Sequence, residues 1–223
     1  MQTFQTPAAI TAVVEIPAGH IRLVAADRAD TTVEVRPAVA SKSKDVKAAE
    51  ETTVAFADGV LRIEAPEAKN KILGSTGSVE VTVQLPAGSR VEAKAAAADL
   101  RGTGRLGDVS YDSAQGPVEL DEAASVRLTL QDGDITVGRL DGSAELTTAR
   151  GDLRIVEALG GQLVLATQSG SITVGAAPGV SATLDAGTTH GRVSNSLRNA
   201  EGAGAGLTIR ATTAHGDITA HSN

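Results

Sequence analysis

The chain has 223 residues, 41% of them hydrophobic, and a formal net charge of -7; that length allows one large or two small domains with a sizeable core. The acidity, with Lys and Arg clustered only in "SKSKDVK" and "KNK", argues against duplex nucleic acid, whose binding rests on grouped cations. Cysteine is absent and aromatic residues make up 1%, which excludes disulfides, thiolate metal sites and cysteine nucleophiles and leaves a core of Ala, Val, Leu and Ile in narrow layers.

The first stretch, "MQTFQTPAAITAVVEIPAG", has no basic n-region and no long apolar h-region, and no segment approaches the ~20 apolar residues of a membrane span. The expectation is a cytoplasmic soluble protein. In residues 1–90, "AGHIRLV" at Gly19 and "DGVLRIE" at Gly59 carry a glycine followed by alternating residues, "TTVEVRP" reads as a strand, and "GSVEVTVQLPAGSRVEA" as a long alternating strand broken by a Pro-Ala-Gly-Ser turn. Between them "SKSKDVKAAEETT" predicts one or two helical turns capped by Ser43 or Asp45. "PEAKNKILGSTG" reads as an exposed loop.

From residue 91 the chain repeats itself. "AQGPVEL" at Gly116, "QDGDITV" at Gly133, "ARGDLRI" at Gly151, "QSGSITV" at Gly170, "THGRVSN" at Gly191 and "AHGDITA" at Gly216 are spaced by 17, 18, 19, 21 and 25 residues, and "AAADLRG" puts Ala98 in the same slot 18 residues before Gly116. After each glycine come Val118/Leu120, Ile135/Val137, Leu153/Ile155 and Ile172/Val174. Before it stand Val109/Tyr111, Val126/Leu128, Ala144/Leu146 and Leu163/Leu165, so each unit holds two strands with one buried face. A third corner follows in "RLGD", "RLDG" and "ALGG", with Leu turned inward. A unit this short cannot bury both strands alone and must stack on its neighbours. The pattern predicts an all-β chain: a single parallel, right-handed β-solenoid of roughly 18-residue rungs over 91–223, started and capped by a less regular β region over 1–90. Val118, Ile135, Leu153, Ile172, Val193 and Ile218 should form an inward column. The chain ends just after a strand with no cap helix, Pro or charge run, so the C-terminal rungs around 207–220 are the expected surface of a homodimer.

"VTVQLPAGSRVEAKAAAADLRGTGRLGDV", the tandem "GDITV", "GDLRI" and "GSITV" units, and "HGRVSNSL" leading to "TIRATTAHGDIT" closely resemble the bacterial DUF4097 family of β-strand-repeat proteins, whose members often carry the label adhesin. The resemblance covers nearly the whole chain and implies a β-solenoid. It brings no catalytic residues with it.

Several motifs invite a functional reading. "GTGRLG", Gly102 to Gly107, has the letters of a dinucleotide-binding loop, but turn-rich, strand-like sequence follows where that site needs a helix. His190 and His215 fill one slot, just before the corner glycine, that elsewhere holds Gln115, Asp132, Arg150 and Ser169; it reads as solvent-facing. Stacked on adjacent rungs, the two imidazoles would lie ~5 Å apart, close enough to share a proton or a metal. With Asp185 and Asp217 the only added donors, no metal site and no cofactor is expected. Asp99, Asp134, Asp152 and Asp217 should satisfy turn amides, and Thr148, Thr167, Thr188 and Thr213 should form a hydroxyl ladder inside the corner. The leading function is a non-enzymatic scaffold binding a protein or glycan partner, with no nucleic acid and no membrane span. The alternative is a groove enzyme of the lyase, isomerase or hydrolase class using His190 and His215 as acid and base and Arg150 or Arg192 for an anion.

Overall fold

The computed structural model describes residues 1–66 and 77–223; nearly all of the expected loop at 66–77, with its "KNK" cluster, lies outside the described residues. Among the described residues the fold is all-β and β-solenoid-like with one short α-helix, and the chain forms two compact units, Met1–Gly116 and Pro117–Asn223. This division follows contacts, whereas the change at residue 90 is one of sequence regularity.

In the first unit the elements are β1 (Gln2–Gln5), β2 (Thr11–Ala26), β3 (Asp30–Pro37), α1 (Ser43–Glu51), β4 (Thr53–Ala57), β5 (Val60–Glu64), β6 (Val79–Pro86) and β7 (Arg90–Gln115). β2 is its hub. It runs parallel to β7 on one side and, on the other, to β5 along its first half and β6 along its second. Period-two alternation buries Ala12, Val14 and Ile16, then Ile21, Leu23 and Ala25, with Gly19 (φ 129°) turning the corner between the two runs.

The outer strands are antiparallel: β3 on β6, β1 on β3, and β4 on β5. Residues 1–90 are therefore not simply weaker copies of the parallel rungs. Gly59 shows why. Asp58 and Gly59 both take positive φ, 52° and 76°, the two-residue hairpin geometry that reverses a strand onto its neighbour. The hairpin and the β1 edge meet through Phe4 and Phe56, whose ring centroids are 5.4 Å apart.

Helix α1 lacks the expected cap: Lys42 occupies the N-cap and makes no side-chain capping bond. Asp45 is instead buried and accepts the backbone N–H groups of Val39 and Ser78 at 3.2 and 3.0 Å. The helix thus spends its first-turn carboxylate on tying the ends of β3 and β6 together.

The second unit comprises β8 (Val118–Asp132), β9 (Ile135–Leu140), β10 (Ala144–Arg150), β11 (Leu153–Ala158), β12 (Gly161–Ser169), β13 (Ile172–Ala176), β14 (Ala182–His190), β15 (Val193–Ser196), β16 (Leu207–His215) and β17 (Ile218–Ser222). Its pairings are parallel and in register, save for a shift between Ile155 and Ala158 where β11 meets β13. One ladder stacks Val126, Ala144, Leu163, Ile209 and Leu184, and the other stacks Val118, Ile135, Leu153, Ile172, Ile218 and Val193. At the third corner Leu106 and Leu140 are buried as expected, but Ala158, paired with Leu140, takes the slot instead of Leu159.

The order of the last two rungs departs from the chain order. β16 and β17 insert between β12/β13 and β14/β15, so the final stretch of chain is interior and the preceding rung is the open edge. Val193, expected in the core, is consequently 47% exposed, although it stays in register with the buried Ile218. Residues 207–220 are paired on both sides and do not offer the free edge expected of them.

Candidate functional site

The recurring corner of the second unit is the most elaborated polar feature. Gly133, Gly151, Gly170 and Gly216 have φ between 138° and 153°, a region that side-chain-bearing residues avoid, and a Cβ on Gly151 would overlap the Gly133 carbonyl of the next rung. Inside each corner a buried or half-buried threonine donates to a neighbouring glycine carbonyl: Thr167 to Gly151 at 3.1 Å, Thr188 to Gly216 and Thr213 to Gly170 at 3.0 Å. Thr148 donates to the Arg150 carbonyl at 3.0 Å. This is the hydroxyl ladder that the repeat predicted, and its role is to satisfy carbonyls that the corner turns out of the sheet.

Outside the corner the aspartates do the complementary work. Asp134 accepts the Asp152 N–H at 2.8 Å, Asp152 that of Ser171 at 2.7 Å, and Asp217 that of Arg192 at 2.8 Å. In the first unit Asp99 instead meets His20 Nδ1 at 3.0 Å on the paired strand. Each turn carboxylate is thereby committed to a neighbour of the chain itself.

The slot before the glycine forms an exposed column in the order Asp132, Arg150, Ser169, His215, His190. Arg150 pairs with Asp132 at 3.1 Å. His215 and His190 lie face to face, with ring centroids 4.8 Å apart and planes within 4°, the separation expected for neighbouring rungs. Both rings are exposed. Arg192 contributes its backbone N–H to Asp217, and Asp185 is held by Arg210 at 3.4 Å, so neither aspartate is drawn to the imidazoles. Among the described residues there is no group of three or more His, Cys, Asp or Glu able to hold a metal, and no helix long and apolar enough to cross a membrane.

The "GTGRLG" glycines sit inside β7, where Gly104 (φ 79°) packs on the Ala25 carbonyl and Gly107 on that of Gly88; a strand, not a helix, follows them. Sequence reasoning passed over an open cavity of about 240 Å³ in the first unit, lined by Val13, Glu15, Arg90, Glu92, Lys94 and Asp112 among others. Alternation alone places Arg90, Glu92 and Lys94 outward. Their approach to Val13 and Glu15 depends on the β2–β7 pairing, which no local signal encodes.

The family model described as Toastrack DUF4097 matches residues 11–221. Among solved structures, an adhesin candidate from Bacteroides fragilis is 13% identical with a TM-score of 0.56, the match covering 100% of this chain and 95% of that one. A cell-adhesion candidate from Clostridium sporogenes, also 13% identical, has a TM-score of 0.43 over 100% and 98% of the two chains. A candidate lipid-binding protein from Parabacteroides distasonis is 11% identical, with a TM-score of 0.44 over 98% and 95%. No curated protein matches the chain.

Proposed function

The chain belongs to the Toastrack DUF4097 family, and on that premise we propose that it is a non-enzymatic scaffold binding a protein or glycan partner on an outward face. The observation that carries this reading is the exposed column Asp132, Arg150, Ser169, His215, His190. Its side chains differ from rung to rung while the backbone beneath them is held in register, which gives a rigid row of distinct polar groups at the ~4.8 Å strand spacing. An extended partner with regularly placed polar groups fits such a row, and the adhesin description of the Bacteroides fragilis structure is in keeping with it. We read the rungs as a right-handed coil of roughly 18 residues per turn, the hand that right-twisted strands favour in parallel connections.

The enzyme alternative gains no support from the geometry. The two imidazoles stack on each other instead of flanking a common point, and both are open to solvent, whereas acid and base catalysis needs both groups within reach of one reacting centre. A panel of oligosaccharides and extended peptides tested by biolayer interferometry distinguishes the readings. Saturable binding weakened by Arg150→Ala and His215→Ala supports the scaffold; binding indifferent to both substitutions removes this column from the proposal. Conversion of a bound oligosaccharide to product, abolished by His190→Ala, would establish the enzyme.

A further inference from the structure

We propose that the open edge formed by β14 and β15 binds the same edge of a second copy of this chain, giving a two-fold dimer. This is distinct from partner binding on the outward column.

Among the described residues β14 pairs with β16 and β15 with β17, each on one side only. The Leu207 N–H donates to the Ser181 carbonyl at 3.2 Å. Because a strand residue in a parallel ladder points its N–H and C=O to the same side, Leu184 and Ala186 present theirs to the open side, whereas the Ala182 N–H, at the start of the strand, is taken by the Arg198 carbonyl at 3.0 Å. The edge is also apolar where the rungs beneath are packed: Val193 is 47% exposed above Ile218 at 1%, and Leu184 is half-buried above Ile209 at 0%. Edge strands are usually blunted by Lys, Pro or a bulge. Neither strand, ATLDAGTTH and VSNS, has Lys or Pro.

The choice of a second copy rests on charge and pairing. A two-fold axis through Ala186 sets β14 antiparallel to its own copy, opposing Leu184 to Thr188, Thr183 to Thr189 and Asp185 to Gly187. No like charges face one another. Asp185, the one acidic residue, is already neutralised by Arg210 at 3.4 Å, and threonine pairs across antiparallel strands are favourable. The two strands contribute nine and four residues, fewer than the roughly 20–30 per side of a standard interface, so the dimer should dissociate in the micromolar range.

The absence of cysteine makes the test direct. Sedimentation velocity of the full chain from about 5 to about 500 µM should show a monomer–dimer equilibrium, and Val193→Lys should weaken it at least ~10-fold. Circular dichroism and a thermal melt establish that this variant is folded. Ala186→Cys should oxidise to a covalent dimer, since a two-fold at residue 186 brings the two Cα atoms to about 5.5 Å, within disulfide range. Thr212→Cys, on the same ladder but one rung in, should form no covalent dimer. A native chain monomeric throughout the range overturns the proposal and leaves the edge to a strand from another protein. Association that persists in folded Val193→Lys, or that fails to cross-link at residue 186, overturns it too.

Discussion

His190 and His215 are 25 residues apart in the chain and face to face in the fold, ring centroids 4.8 Å apart, because β14 and β16 are direct neighbours. Both rings are exposed, so the contact replaces one solvated surface by another. His190→Ala and His215→Ala should each change stability by under ~1 kcal/mol, with the double variant additive within ~0.5 kcal/mol. Urea melts of the four proteins measure this, and a coupling well above that value would give the pair a structural role it lacks here.

Ile135 is fully buried between Val118 and Leu153, while Thr136 beside it points outward. Ile135→Ala leaves a void that rungs tied on both sides cannot close and should cost ~2–4 kcal/mol; Thr136→Ala should cost under ~1 kcal/mol. Equal losses in denaturant melts would contradict the register.

Ile218 is 1% and Val193 47% exposed, although they occupy the same slot of the repeat. If β17 lies inside and β15 at the edge, Ile218→Ala should cost ~2–4 kcal/mol and Val193→Ala under ~1 kcal/mol. A chain stacked in sequential order gives the reverse.

Asp45 ties the ends of β3 and β6 through the N–H groups of Val39 and Ser78. Asp45→Ala strands both donors in a largely buried place and should destabilise the protein by ~2–4 kcal/mol. Asp45→Asn, which keeps one acceptor oxygen, should lose less. Hydrogen exchange at Val39 and Ser78 locates the effect.

Tyr111 is fully buried with its hydroxyl donating to the Ala98 carbonyl at 2.6 Å. Burial pushes the phenol up from its ordinary value, the Asp99 charge adds to this, and a hydrogen bond with Ser113 opposes it. Native Tyr111 therefore holds its proton where the unfolded phenol loses its own. The stabilisation is complete below the unfolded phenol value near 10 and fades as pH rises above it toward the native value. Tyr111→Phe should be less stable at neutral pH for want of the hydrogen bond and decline less steeply between pH ~9 and ~11. Parallel slopes for the two proteins would show that another group controls the alkaline loss.

Within the repeats the sequence by itself determined the strands, the glycine corners and the face of each strand that turns inward. Each depends on local geometry: a strand alternates every second residue, a corner at positive φ selects glycine, and a polar side chain beside it closes the nearest free amide. Leu153, Gly151 and Asp152 could be assigned their places from "ARGDLRI" alone. Tertiary structure decided which strand lies beside which. β15 and β17 present equivalent backbone edges to β13, so local pattern does not rank them. The ten-residue connection from Leu197 to Gly206 is long enough for the chain to step past its own last rung. Two signs of this were legible: the 25-residue spacing from Gly191 to Gly216, longer than any other, and Asn195 in a slot that elsewhere holds Val137, Ile155 and Val174. A polar side chain is tolerated in that slot only where the stack ends and water reaches it. Apart from the local β4–β5 hairpin, the antiparallel outer strands of the first unit and the cavity beside β2 and β7 were settled in the same way, by pairings between distant segments whose stability depends on the burial they achieve together.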